Sequence, residues 1–189
     1  RSLTPGMEAT DGSLLKVGRE WIIIGPEAVF RSDGGPWVRR PVRDDARHFG
    51  VVTAAAAGDG AFYVGYNQGE WGGGLWRIAP GSDVLQEVSR IDGDGICDGP
   101  LNTACDPVTG VIPDPSAPEC VLISTGLSHF LLKGSILRVC GESVELVFEE
   151  VIPQPADSLG AGMNKWPMFG LAAIPEGWVA VSAGRLFVS

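Results

Sequence analysis

The stretch Ala56-Ala57-Gly58-Asp59-Gly60-Ala61-Phe62-Tyr63-Val64 sets the reading of this chain. A small apolar run stops at a Gly-Asp-Gly turn and restarts on an aromatic residue, the pattern of two β-strands joined tightly. Two other stretches share the texture: Leu15-Lys16-Val17-Gly18-Arg19-Glu20-Trp21-Ile22-Ile23-Ile24 and Ala172-Ala173-Ile174-Pro175-Glu176-Gly177-Trp178-Val179-Ala180-Val181. Each of the three is followed by a further short run, Ala28-Val29-Phe30-Arg31, Gly74-Leu75-Trp76-Arg77 and Gly184-Arg185-Leu186-Phe187. Strand, turn, aromatic, strand is therefore a repeated unit.

Working outward, the strands fall into sets. The first is 14–17, 21–25, 28–31 and 37–40; the second is 51–57, 61–66, 74–78 and 84–91. The third is 120–125, 129–133, 135–140 and 144–149, and the fourth, cut short, is 169–174, 177–182 and 185–188. The aromatics that open the second strands, Trp21, Phe62, Phe130 and Trp178, are spaced by 41, 68 and 48 residues. Setting aside an inserted loop at about 92–118 brings the middle spacing near the ~40–50 residues of a propeller blade. On these residues the chain resembles a β-propeller, akin to the kelch, NHL or gluconolactonase-like propellers. The resemblance covers about four-fifths of the chain and lies in its rhythm. It implies one all-β domain over 1–189, of about four antiparallel blades; a β-sandwich is the rival architecture. Three full sets and a partial one leave sheet edges unclosed. Because residues 2–11 do not read as a strand, further blades of a longer chain are expected to complete the ring.

Composition agrees. Gly 27 and Pro 14 make up about 22% of the 189 residues, against ~12% on average, which excludes a helical bundle. A hydrophobic share of 44% suffices for a packed core. No apolar run approaches the ~20 residues of a membrane helix, and no basic-then-apolar leader opens the sequence. The net charge of −9 repels phosphate backbones and disfavours nucleic acid as a partner. A local cluster of Arg31, Arg39, Arg40, Arg43 and Arg47 reads as an anion site or, more simply, as a solvated edge paired with Asp33, Asp44 and Asp45.

Four cysteines, Cys97, Cys105, Cys120 and Cys140, lie in the central third. They permit three pairings, of which 97–105 with 120–140 is the most local. Disulfides are expected ahead of free thiols or zinc, because the spacings contain no C-x₂-C knuckle. Bridges would place the protein in the periplasm or outside the cell. Calcium is the one cofactor the sequence points to. Asp92, Asp94 and Asp98 alternate with glycines as in an oxygen-ligand loop, yet position 12 from Asp92 is Thr103 where an EF-hand closes with Glu. The plainer reading is a pair of Asp-Gly turns.

The segment 66–75 is the most unusual. Asn67, Glu70 and Trp71 stand on a glycine-rich inter-strand turn, a set suited to a sugar through stacking and hydrogen bonds. A turn with Trp71 packed beneath it is the structural alternative. His129 and Trp166 are placed at the same mouth, and His48 is a weaker candidate. No Gly-x-Ser-x-Gly elbow supports a nucleophilic serine. The expected function is a non-catalytic propeller module that binds a carbohydrate or protein partner. The alternative is a secreted hydrolase or lyase using Glu70 with His129 or Asp98.

Overall fold

The computed structural model describes residues 13–17, 19–24, 28–41, 51–82, 84–95, 97–128, 132–155 and 162–189. Among them are fifteen β-strands, one 3₁₀ turn (Gly69–Trp71) and no α-helix. The first sheet is β1 (Ser13–Val17), β2 (Glu20–Ile24), β3 (Ala28–Ser32) and β4 (Val38–Pro41). The second is β5 (Val51–Ala56), β6 (Phe62–Asn67), β7 (Leu75–Ile78) and β8 (Leu85–Val88). The third is β9 (Val108–Pro113), β10 (Val121–Ser128), β11 (Leu132–Cys140) and β12 (Ser143–Phe148). The fourth is β13 (Leu171–Ile174), β14 (Gly177–Ser182) and β15 (Arg185–Val188). Every sheet is an antiparallel meander in chain order. The first strands touch in succession: β1 against β5, β5 against β9, β9 against β13. Four sheets, not the two of a sandwich, make the architecture.

The two-residue period of the strands explains the stacking. Along β6, Phe62, Val64 and Tyr66 join Ile22, Ile24 and Val29 of the first sheet in one apolar cluster. Tyr63 points the other way and joins Leu75, Val121, Ile123, Leu137 and Val139 in a second cluster, between the second and third sheets. A third cluster sets Leu122 and Ile136 against Trp178, Ala180 and Phe187 of the fourth sheet. Sheets two and three are thus buried on both faces, which is why β6 is apolar throughout where a half-solvated strand alternates. The repeating aromatics do not share one environment: Phe62 and Trp178 are buried, while Trp21 is 39% exposed under Lys16.

The third sheet departs from the expected phase. Its first strand, β9, lies inside the stretch read as an inserted loop; Gly110 and Pro113 interrupt its apolar run and conceal it. The break expected between the runs at 129–133 and 135–140 is absent: β11 is continuous from Leu132 to Cys140, with Gly134 in register with Gly126, while 129–131 lie outside the described residues. Phe130 lies outside the described residues, and β10 is the second strand of this sheet.

Both cysteine pairs form, Cys97–Cys105 and Cys120–Cys140, the most local of the three pairings. The second joins the start of β10 to the end of β11, next to the Val121–Val139 pair. Beside it, Asp114 is buried and accepts hydrogen bonds from Arg138 Nε (2.6 Å), Ser116 N–H (2.7 Å) and Ser116 Oγ (2.7 Å). Burial pushes the Asp114 carboxyl up, but Arg138 and the Ser116 donors outweigh it and hold the group below the ordinary carboxylate range.

Two outcomes follow. Alkylation of the unreduced protein should leave all four cysteines unmodified, with linked peptides 97–105 and 120–140 in the mass spectrum; alkylated cysteines would refute the pairing. Asp114→Asn should destabilise the fold by about 1.5–3 kcal/mol at neutral pH, the range for hydrogen bonds to a charged group. A carboxyl lowered in the folded state stabilises above its unfolded value of about 4 and loses that stabilisation as pH falls through the folded value. Urea denaturation should therefore show the gap between wild type and variant closing as the pH is lowered from 7 into that window, and an unchanged gap would defeat the ion-pair account.

Candidate functional site

The turn between β6 and β7 is built by its own backbone. Asn67 Oδ1 accepts the Gly69 N–H (2.9 Å), Gln68 N–H donates to Gly72 O (2.9 Å), and Gly72 N–H returns to Gly69 O (3.2 Å). Gly72, Gly73 and Gly74 have φ of 78°, 126° and 71°, a region that disfavours side chains. They are also crowded: a Cβ at Gly72 or Gly74 would strike Thr103 or Ala104, and one at Gly73 would strike Tyr66 O. Gly73 N–H donates to Thr103 O (2.9 Å) and Gly74 N–H to Asp106 O (3.0 Å). The triple glycine is therefore a seat for the 102–106 segment.

This turn forms one wall of an open cleft of about 270 Å³. Asn67 and Glu70 line it from the turn, Leu127 and Ser128 from the end of β10, and Phe169 from the lead into β13. Three consecutive sheets thus contribute. Phe169, 49% exposed, reads in the sequence only as the start of the run 169–174; the strand begins at Leu171, which leaves Phe169 on the lead into it. Its place is fixed by backbone bonds: Met168 N–H to Thr125 O (3.1 Å) and Phe169 N–H to Val181 O (2.8 Å). Gly126 admits this crossing, since a Cβ there would meet the Met168 carbonyl.

Of the expected ligand residues, the structure brings Asn67 and Glu70 together on the cleft. Trp71 shares their turn but does not line the cleft; it is 73% exposed, so it is not packed beneath the turn. Trp166 packs against the cluster between the third and fourth sheets with the Arg185 guanidinium 4.7 Å from its ring. His129 and His48 lie outside the described residues.

In the acidic loop two of the three carboxylates meet groups of the protein. Asp92 pairs with Arg90 (3.0 Å) and Asp98 accepts the Gly95 N–H (2.7 Å). Among the described residues no three His, Cys, Asp or Glu side chains gather as a metal group. Asp106, which closes the loop, is buried, accepts the Asn102 N–H (2.7 Å) and pairs with Lys133 Nζ (2.7 Å). Burial raises its carboxyl above the ordinary value, and Lys133 and Asn102 only partly offset the rise. In the arginine cluster, Arg31 is held by Glu20 at 2.6 and 2.8 Å, while Arg43 and Arg47 lie outside the described residues.

No protein-family model and no curated protein matches this chain. Among solved structures it is similar to the extracellular domain of a B. thetaiotaomicron protein described as a hybrid two component system, with a TM-score of 0.57 and 12% identity. The match covers 93% of this chain and 20% of that one, so the chain spans about a fifth of that structure's length. At this identity the likeness is one of fold.

Proposed function

We propose that the chain is part of a β-propeller outside the cytoplasm and that it binds a neutral carbohydrate in the Asn67–Glu70–Phe169 cleft. The observation that carries the reading is the meeting of Glu70 and Phe169 on one cleft, brought from the second and fourth sheets across the end of the third. A ring face packs on the C–H face of a sugar, while a carboxylate, an amide and the Ser128 hydroxyl offer hydrogen bonds to its hydroxyls. Glu70 is the one titratable group among the described lining residues, so uronic acids and other anions are disfavoured.

The propeller reading draws on the four meanders whose first strands touch in succession. Further blades are supported by the outward side of the fourth sheet. There Val181 pairs with Leu186 and Val179 with Val188, and Val181, Leu186 and Val188 are 47%, 65% and 58% exposed. The corresponding residues of the inner sheets are buried between neighbours. Two disulfides fit an extracellular or periplasmic compartment. Glycosidic cleavage needs a second carboxyl group facing the first across the bond. Of the two partners the sequence offers Glu70, His129 lies outside the described residues, and Asp98 is turned onto Gly95 and is not among the lining residues, which favours binding over hydrolysis through that second carboxyl.

A printed array of neutral glycans tests the reading. Glu70→Gln and Phe169→Ala should each lower affinity for the best glycan by about tenfold, roughly 1.4 kcal/mol. Trp71→Ala should leave the melting temperature unchanged, because its ring is in solvent. Absence of any array signal from the wild type, or variants that bind as wild type does, would refute the carbohydrate reading.

A further inference from the structure

We infer that the Cys97–Cys105 disulfide is the positioning element for the Asn67–Glu70 wall of the cleft; this rests on the reading of that cleft as the binding site. The wall has no apolar anchor of its own: none of Gly69, Glu70 and Trp71 is buried. What holds it is the seat of three glycines, and what the glycines rest on is the 102–106 segment, through Gly73 N–H to Thr103 O and Gly74 N–H to Asp106 O.

That segment is clamped on every side. Its own turn is closed by Cys105 N–H and Asp106 N–H, both donating to Asn102 O (2.9 and 2.7 Å). Thr103 Oγ1 donates to Glu87 of β8 (2.8 Å), which ties it to the second sheet. Lys133 of β11 grips the loop twice, at Asp106 Oδ1 (2.7 Å) and at Cys97 O (3.3 Å). The disulfide joins the two residues so gripped, Cys97 and the neighbour of Asp106. Cutting it removes the covalent tie across 97–105 and leaves the seat to hydrogen bonds and ion pairs: Lys133, Thr103, the turn on Asn102 and the Arg90–Leu101 bridge. The second disulfide, Cys120–Cys140, staples β10 to β11 and touches none of these groups among the described residues. It is an internal control.

Hydrogen exchange read by mass spectrometry separates the two bridges. In Cys97→Ser/Cys105→Ser, exchange at the amides of 68–74 should rise by about tenfold, because opening becomes local to this turn. In Cys120→Ser/Cys140→Ser the same amides should exchange as in wild type under native conditions, although the melting temperature falls. The array signal for the best neutral glycan should drop in the first variant and persist in the second. Should the first variant not fold, limited reduction and alkylation of the wild type gives the same comparison, since Cys97 is exposed and Cys120 is 1% exposed. Unchanged exchange at 68–74 in the species lacking Cys97–Cys105 would overturn the inference. A wild type that binds no glycan would overturn the carbohydrate reading instead, and the exchange result would still decide the inference.

Discussion

The structure depends on where β9 lies. It pairs with β10 in its own sheet and packs against β5 and β6 on one side and β13 on the other. Val108 and Val111 face the second sheet in the central cluster, while Ile112 packs toward the fourth. A six-residue strand thus joins three sheets, and the alternation of its side chains determines that the sheets stack in sequence. The burial is non-directional and accumulates with apolar area; the direction comes from the period of two together with the β-bulge opposite Ser124 and Thr125, which lets Val108 and Val111 share a face. Shifting β9 by one residue would exchange the two faces and strand both clusters.

Much of the site follows from the same strand. Just before β9 stands Asp106, whose carbonyl receives Gly74 and whose carboxylate meets Lys133. Thr109 Oγ1 donates to Met168 O, which sets the segment that ends in Phe169. One end of β9 therefore supports the Glu70 wall and its next turn supports the Phe169 wall. The cleft is a consequence of the sheet stacking and not an ornament on it.

Strands closed by tight turns were legible in the sequence, as in the first and second sheets, because Gly, Pro and Asp mark where the ladders stop. The strand β9 was not, since a Gly and a Pro inside six residues look like loop and only contact with distant sheets makes them a strand. Asn67 and Glu70 could be picked out by their odd company of glycines. The reason for the glycines could not, because Thr103 lies some thirty residues on and touches them only in the folded chain. Phe169 reads only as the first residue of a strand run; its place on the cleft follows from a crossing over Gly126. The local pairing of the cysteines was one of three possibilities until the loop was seen to return on itself.

Asp106 and Asp114 form two buried ion pairs of opposite character. Both are buried aspartates paired with a cation, yet their carboxyls shift in opposite directions. Asp114 meets a guanidinium together with two donors from Ser116, enough to offset its loss of water. Asp106 meets one ammonium and one backbone N–H, which is not enough. A buried ion pair whose desolvation exceeds its attraction does not stabilise the fold. The contribution of Asp106 is greatest below the ordinary carboxylate value and is lost as pH rises through its raised one. The segment that seats the cleft wall carries this pair. A disulfide between Cys97 and Cys105 closes that segment by chain connectivity, which pH does not weaken.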